Sequence, residues 1–221
     1  MAVRVSRFAL LLATLIVAIF ACTPALKAEP RRPTGSATDE VRWHLDQVLA
    51  MAQTPSFRAA SPERRRDEVR RVAHGFFNWT EMSRRALGPQ WNTLTVAERR
   101  EFARGLGTLA EHAYIGQVEQ LSARGLPREP VRYGSEWTDD RYAIVRTTLM
   151  YPQEMPVDFW MARRGAHWEV HDVWIDGVSA AQNYGAQARR IMANGSFHDV
   201  VDRMIARSGE SSPAARATPG R

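Results

Sequence analysis

The chain has 221 residues, of which 44% are hydrophobic and 24% charged, a composition typical of one globular domain. The formal net charge is +6, but three basic residues lie in the acid-free first 28 positions, which leaves 27 basic and 24 acidic residues elsewhere. This balance excludes the strong positive field that a phosphate backbone requires, so we expect no nucleic-acid partner.

The first 28 residues have the pattern of a signal peptide. A short basic start precedes residues 8–21, an apolar run of about fourteen residues that is too short to span a membrane comfortably. We therefore predict export, with residues 1–28 removed after cleavage near Ala28. Alternatively, residues 19–22 approximate a lipobox, in which case Cys22 would carry a lipid tether. Because Cys22 is the only cysteine, it excludes an internal disulfide and a cysteine metal site.

The remaining chain divides into one domain and two flanking segments. Residues 29–37 contain the Pro, Gly and Ser residues of a flexible lead-in. Residues 208–221 hold few core-forming side chains, which predicts a disordered tail. The folded domain is predicted to run from residue 38 to residue 207.

The first half of this domain predicts helices. Val41, Leu45 and Val48 form an apolar stripe of helical period, and Pro55 is expected to end that helix. A capping box predicts a long helix after Thr95, and its glycines at 105, 107 and 116 indicate close approach of another element or of a ligand. The predicted helix N-caps are Thr38, Ser61, Thr80 and Thr95.

The second half predicts a sheet, followed by a helix that Ser179 caps after the break at Gly177. Short connections between the strands imply an antiparallel meander. Apolar residues occur on both faces of the second and third strands, so we expect both faces to be covered, or one to be covered while the other lines a cavity. The four predicted strands are residues 131–137, 141–151, 155–163 and 167–176.

No catalytic or metal-binding motif stands out. The six histidines are scattered, and the sequence contains no HExxH, P-loop or GxSxG pattern. We therefore expect no enzyme, no cofactor and no metal. The alternative from another class is an enzyme on a cone-shaped α/β fold that uses Asp172 or Asp176 as a base, and a third is an interaction module tethered through Cys22.

The segment DVWIDGVSAAQNYGAQARRIM resembles the signature of the MlaC family of periplasmic phospholipid-binding proteins, an auxiliary (toluene-tolerance) component of an ABC transport system. A second block, MSRRALGPQW followed by RREFARGLGTLAEHAY, is similar to the family's stretch before its long helix. The family usually has Arg and later Phe where this chain has Gly185 and Ala188. The matching positions are Asp172, Val173, Gly177, Val178, Ser179, Asn183 and Tyr184, with Leu87, Gly88 and Trp91 in the second block.

The resemblance implies an α+β fold in which about six helices pack a curved four-stranded antiparallel sheet around an apolar lipid cavity. It implies a periplasmic, cofactor-free monomer that carries phospholipid. The implied partners are an inner-membrane ABC transporter complex with its substrate-binding subunit and an outer-membrane lipoprotein complex. A related branch is associated with hopanoid pathways, so a hopanoid or another isoprenoid lipid is the alternative ligand.

A lipid carrier must shelter hydrocarbon from water. Each exposed methylene costs about 0.8 kcal/mol, so two chains of ~15 methylenes cost on the order of 24 kcal/mol. Large apolar side chains on the strands and helices are the candidates to line the cavity, although each could instead belong to a core that never touches lipid. The candidates are Phe76, Trp91, Leu106, Leu109, Tyr114, Val145, Leu149, Phe159, Met161, Val173, Ile175, Val178 and Tyr184.

Overall fold

The computed structural model describes residues 35–125, 127–150 and 153–207, except for the side chains at 120, 121, 124 and 207. The predicted signal peptide, residues 29–34 of the lead-in and the predicted tail lie outside this part of the chain. All described residues belong to one compact unit.

The described residues form an α+β fold, which confirms the predicted class. They contain seven α-helices and one 3-10 helix, somewhat more than the six helices expected. The helices are α1 (Ala37–Gln53), α2 (Pro55–Ala59), α3 (Pro62–Ala73), α4 (Trp79–Leu87), a 3-10 helix (Gly88–Thr93), α5 (Val96–Arg124), α6 (Ala180–Met192) and α7 (Phe197–Arg207).

Three of the predicted helix starts are confirmed. The Ser61 hydroxyl accepts a hydrogen bond from the third amide of α3. Thr95 and Glu98 form the predicted capping box, with the Thr95 amide and hydroxyl donating to Glu98 Oε2 at 2.8 and 2.7 Å. Ser179 caps α6, because its Oγ accepts from the Gln182 amide at 3.0 Å. Each of these caps acts across only three residues.

Two predicted caps are wrong, whereas the predicted end of the first helix before Pro55 is confirmed. Ser36 caps α1 in place of Thr38, whose amide and hydroxyl donate instead to Glu136 Oε2 of the sheet at 2.8 and 2.5 Å. Asn78 caps α4 in place of Thr80. Pro55 does not merely end α1 but occupies the first position of α2, where proline's missing amide costs nothing.

The sheet has five antiparallel strands in sequential order, which confirms the meander but corrects the predicted number of four. Asp176 (φ +48°) and Gly177 (φ +77°) make a two-residue turn that brings Val178 back against Ile175. The strands are β1 (Val131–Thr138), β2 (Tyr142–Leu149), β3 (Met155–Arg164), β4 (His167–Ile175) and β5 (Val178–Ser179).

The free edge of β4 also receives the chain that enters α4. The Val170 amide donates to the Phe76 carbonyl at 2.7 Å, and the Asn78 amide donates to the Val170 carbonyl at 2.8 Å. This short parallel bridge between Phe77 and Val170 brings α4 to the edge of the sheet.

A β-bulge at His171 sets which side chains of β4 face inward. Trp160 pairs with Asp172 and Met161 with Val170, so His171 is the extra residue. The inner face, which faces α1, carries Met161 and Val170. The outer face carries Trp160, which stacks on Trp174 with ring centroids 5.4 Å apart.

The first of the two expected arrangements, in which both faces are covered, does not hold for the outer face. Trp137 is 55% exposed and Tyr142 is 39% exposed. The apolar residues of the outer face therefore form a partly exposed aromatic surface and not a second buried core.

Gly185 marks the closest approach of two helices. A Cβ atom at this position would lie 1.9 Å from the Ala86 carbonyl oxygen, which belongs to the backbone of α4. Because the backbone of α4 fills the space that a side chain would need, only glycine fits at this position. In α5, by contrast, Gly105 faces Met204 and Gly107 faces Trp79, while a Cβ at Gly116 would meet nothing within 4 Å.

We expect Gly185→Ala to lower the free energy of unfolding by about 3 kcal/mol or more, because α4 and α6 must separate to admit the methyl group. Gly116→Ala is the matched control and should raise stability by up to about 1 kcal/mol, since it adds helix propensity without a clash. Urea denaturation of both variants measures the difference. Equal stabilities would contradict the close approach.

Candidate functional site

The largest apolar layer that involves the sheet lies between α1 and the inner face; we call it the inner layer. Its helical side is formed by Ala37 and Val41 of α1 and by Phe76, and its sheet side by alternate residues of β2, β3 and β4. Phe76 and Phe159 connect the two sides with ring centroids 5.8 Å apart. The buried strand residues are Ala143, Val145, Val157, Phe159, Met161, Trp168 and Val170.

The inner layer forms because the two-residue period of the strands and the helical period of α1 place apolar side chains on surfaces that face each other. Residues at every second position of the strands point to the same face, while Val41, Leu45 and Val48 recur on one side of α1. The first half of α1 packs on the sheet, whereas Val48 and Ala52 pack in another cluster with Phe57, Val69, Ile115 and Val118.

The structure divides the thirteen predicted pocket residues among three clusters and the surface. Six lie in or against the inner layer, four in a helical cluster between α4, α5, α6 and α7, and Tyr114 packs on the cluster at the second half of α1. Their contact with lipid stays a prediction. The residues in or against the inner layer are Phe76, Val145, Leu149, Phe159, Met161 and Val173. Those in the helical cluster are Trp91, Leu106, Leu109 and Tyr184. The remaining two, Ile175 and Val178, lie at the surface and are 42% and 57% exposed.

A buried carboxylate at the inner layer was not foreseen from the sequence. Glu40 of α1 is 1% exposed, and its oxygens lie 3.4 Å from His44 Nε2 and 3.4 Å from His167 Nδ1 of β4. His44 in turn stacks on Phe76 at 4.2 Å. Together with the bonds from Thr38 to the sheet, these contacts attach α1 at both β1 and β4. The four-residue spacing of Glu40 and His44 beside the apolar stripe was the available signal.

Asp172 is buried and its carboxylate is fully engaged. Oδ1 accepts from the amides of Val173 and Ala181 at 2.9 and 3.0 Å, and Oδ2 accepts from the Trp174 indole at 3.0 Å and the Ser179 hydroxyl at 2.6 Å. Four donors leave no lone pair directed at a substrate, so the geometry favours a structural role over that of a base. Asp176, the other candidate base, is an exposed turn residue.

His171 sits in the bulge next to Asp172 and is 1% exposed. Burial and, to a smaller extent, Arg85 lower its pKa to about 4, against the opposing effects of Glu81 and Asp172. The imidazole is therefore neutral at physiological pH and contacts the Tyr142 ring edge-on at 6.1 Å.

Two further observations concern the described residues alone. No group of three or more His, Cys, Asp or Glu side chains among them could hold a metal ion. Among the same residues, no helix is both long enough and apolar enough to cross a membrane.

Replacing Asp172 by Asn should lower the free energy of unfolding by about 3 kcal/mol, because an amide group would face donors that now bond to an oxygen. Asp176→Asn is the control and should change stability by less than about 0.5 kcal/mol, since Asn tolerates a positive φ. Thermal and urea unfolding of the two variants test this. A stable, fully folded Asp172→Asn protein would refute the structural role.

His171 should make stability depend on pH between about 4 and 6.5. In that range the unfolded chain, with the ordinary histidine pKa of 6.5, binds a proton that the folded chain does not, so protonation favours unfolding. Above pH 6.5 the contribution of His171 to the free energy of unfolding is fully present. As the pH drops toward 4, the free energy of unfolding falls by at most about 1.4 kcal/mol per pH unit. Urea titrations at several pH values should show a steeper loss for wild type than for His171→Gln; parallel curves would disprove the effect.

Comparisons with known proteins agree with this geometry. The family model described as MlaC protein matches residues 44–206, more than half of the chain. Comparison with curated proteins gives no match. Among solved structures, the chain is similar to the phospholipid-binding protein of Ralstonia solanacearum in complex with a phospholipid, with a TM-score of 0.68, 20% identity, and coverage of 79% of this chain and 98% of that one.

The likeness to the Ralstonia solanacearum protein shows that the two share a fold. The family and this neighbour point to a binding or transport protein rather than an enzyme. By the extent of its match, the chain belongs to the MlaC family.

Proposed function

We propose that this protein is a lipid carrier that holds phospholipid acyl chains between α1 and the inner face of the sheet. The observation that carries the proposal is the inner layer itself, a continuous apolar contact between a helix and three strands. The family match and the phospholipid bound by the Ralstonia solanacearum neighbour support it.

The inner layer suits a carrier because its two sides are joined mainly by side-chain packing. Only the first half of α1 lies on the sheet, and its polar attachments in the described part of the chain include Thr38 to Glu136 and Glu40 to His167. Displacing that half of the helix would separate Val41 from the strands and open the layer to hydrocarbon. Acyl methylenes would then replace protein side chains at about 0.8 kcal/mol each, which offsets the cost of opening.

The proposed place of action is the periplasm, and the proposed task is to shuttle lipid within an Mla-type system. The signal-peptide pattern of residues 1–28 supports export. The partners would be an inner-membrane ABC transporter complex with its substrate-binding subunit and an outer-membrane lipoprotein complex. The ligand class proposed here is phospholipid, with the family match as its support.

The first test is lipid extraction from the purified protein followed by mass spectrometry, together with uptake from vesicles that contain a labelled phospholipid. We expect bound phospholipid in a ratio near one per chain or below. Protein that is recovered without lipid and takes none up from vesicles would refute the carrier function.

The second test places the lipid in the inner layer. Val145→Phe fills the layer from β2 and should reduce vesicle uptake about tenfold or more, whereas Ile144→Phe adds similar bulk to the outer face of the same strand and should leave uptake unchanged. Circular dichroism and thermal unfolding check that both variants fold. Equal uptake by the two folded variants would move the lipid site away from the inner layer.

A further inference from the structure

A row of apolar side chains crosses the outer face of the sheet. The register places Trp137 of β1 opposite Ile144 of β2, and Ile144 opposite Trp160 of β3, which stacks on Trp174. Residues directly opposite each other in antiparallel strands lie on the same face. Ile144, Trp160 and Trp174 are partly buried, whereas Trp137 is exposed. The β1 end of the row is therefore its open end, where another segment can cover the indole.

The turn between β1 and β2 adds charge beside this open end. Asp139 Oδ1 accepts from the amides of Arg141 and Tyr142 at 2.7 and 2.6 Å, and these bonds lower the pKa of Asp139, so its carboxylate stays ionised. Asp140 is exposed next to it. Arg141 is the only basic residue of the turn, and its guanidinium lies over the Tyr142 ring at 5.9 Å. The turn therefore has a net negative charge close to exposed aromatic rings.

The start of α1 lies against the same strand from the opposite side. The amide and hydroxyl of Thr38 donate to Glu136, the residue that directly precedes Trp137. Successive residues of a strand point to opposite faces, so the chain that enters α1 contacts the inner face one residue away from Trp137. Because β1 is the terminal strand, only its edge separates this entry point from the indole.

The residues before α1 have the length and the composition to cross that edge. Residues 29–34 read EPRRPT, and six extended residues span about 20 Å. Pro30 and Pro33 have the PxxP spacing of polyproline segments that dock into aromatic-lined grooves. Between them, Arg31 and Arg32 carry the charge that complements the two aspartates of the turn.

We propose that residues 29–34 fold back over the edge of β1 and bind the outer face of the sheet at Trp137. The two prolines pack on the indole, and the two arginines lie at the acidic turn. Exposed ion pairs contribute little, so the apolar contact supplies most of the binding free energy. Composition predicts a flexible lead-in, but proline has a fixed φ and therefore loses little entropy when such a segment docks.

The first test measures whether residues 29–34 are ordered in the purified chain that begins at residue 29. Their amides should show heteronuclear NOE values close to those of α1, and Trp137→Ala should lower these values to those of a free terminus. Val96→Ala replaces another exposed apolar residue and is the matched control, which should leave them unchanged. Low NOE values in wild type would overturn the proposal.

The second test observes the indole N–H signal of Trp137 by NMR. Pro30→Ser/Pro33→Ser should shift this signal, because the variant uncovers the ring without altering the folded domain. Pro213→Ser/Pro219→Ser changes two prolines of the C-terminal segment and should leave the signal in place. A shift caused only by this control would assign the surface to the C-terminal segment and overturn the proposal. A signal that depends on protein concentration would assign the surface to a second copy, with the same consequence.

A double-mutant cycle tests the charge pairing. Arg31→Gln/Arg32→Gln and Asp140→Asn should each lower the ratio of docked to free segment about two- to fivefold, and the combined variant should lower it no further. Asp176→Asn, at the turn after β4, is the matched control and should keep the wild-type ratio. Additive effects of the two changes would refute the pairing of the arginines with the turn.

The docked segment would also restrain α1, because it continues directly into that helix. This consequence rests on the proposed carrier function, whereas the contact itself does not. Pro30→Ser/Pro33→Ser should take up labelled phospholipid from vesicles about twofold faster than Pro213→Ser/Pro219→Ser. Equal uptake rates would refute the restraint on α1. Absence of uptake by wild type, together with ordered residues 29–34, would refute the carrier function and leave the contact standing.

Discussion

The junction between the sheet and the helices depends on the carboxylate of Asp172. A buried charge is tolerated only when hydrogen bonds satisfy its lone pairs. The donors to Asp172 belong to β4, to the cap of α6 and to its first turn, through Trp174, Ser179 and Ala181. The charge is therefore satisfied only after the turn has folded and the helix has begun. One side chain thus couples the edge of the sheet to the packing of α6 against α4.

Much of the secondary structure could be predicted because its signals are local. A cap such as Ser179 or Thr95 acts within three residues, and strand alternation shows within four or five. Local signals do not decide between Ser36 and Thr38 as the N-cap of α1, because both residue types are good caps. The choice depends on Glu136, a residue of β1 far along the chain that takes both hydrogen bonds of Thr38.

The site could be predicted only in part, because membership of a layer depends on tertiary packing. Parity along β2 and β3 correctly grouped Val145 with Leu149 and Phe159 with Met161. The bulge at His171 could not be predicted from the sequence. Apolar residues occur at both odd and even positions of β4, so one extra residue does not disturb the visible alternation. Nor does periodicity reveal which helix covers which face, so Tyr114 and Trp91 were grouped with residues of other clusters.

The terminal strand β1 has a consequence for how copies of the protein behave at high concentration. A sheet ends with a strand whose amides and carbonyls on one side are free to pair with another chain, which is the usual start of edge-to-edge aggregation. In β1 the register with β2 shifts between Tyr133 and Glu136, so the ladder is interrupted at its middle. Such a bulge twists the strand and breaks any continuous template. The sheet can therefore end at β1 without inviting a sixth strand from a neighbouring molecule.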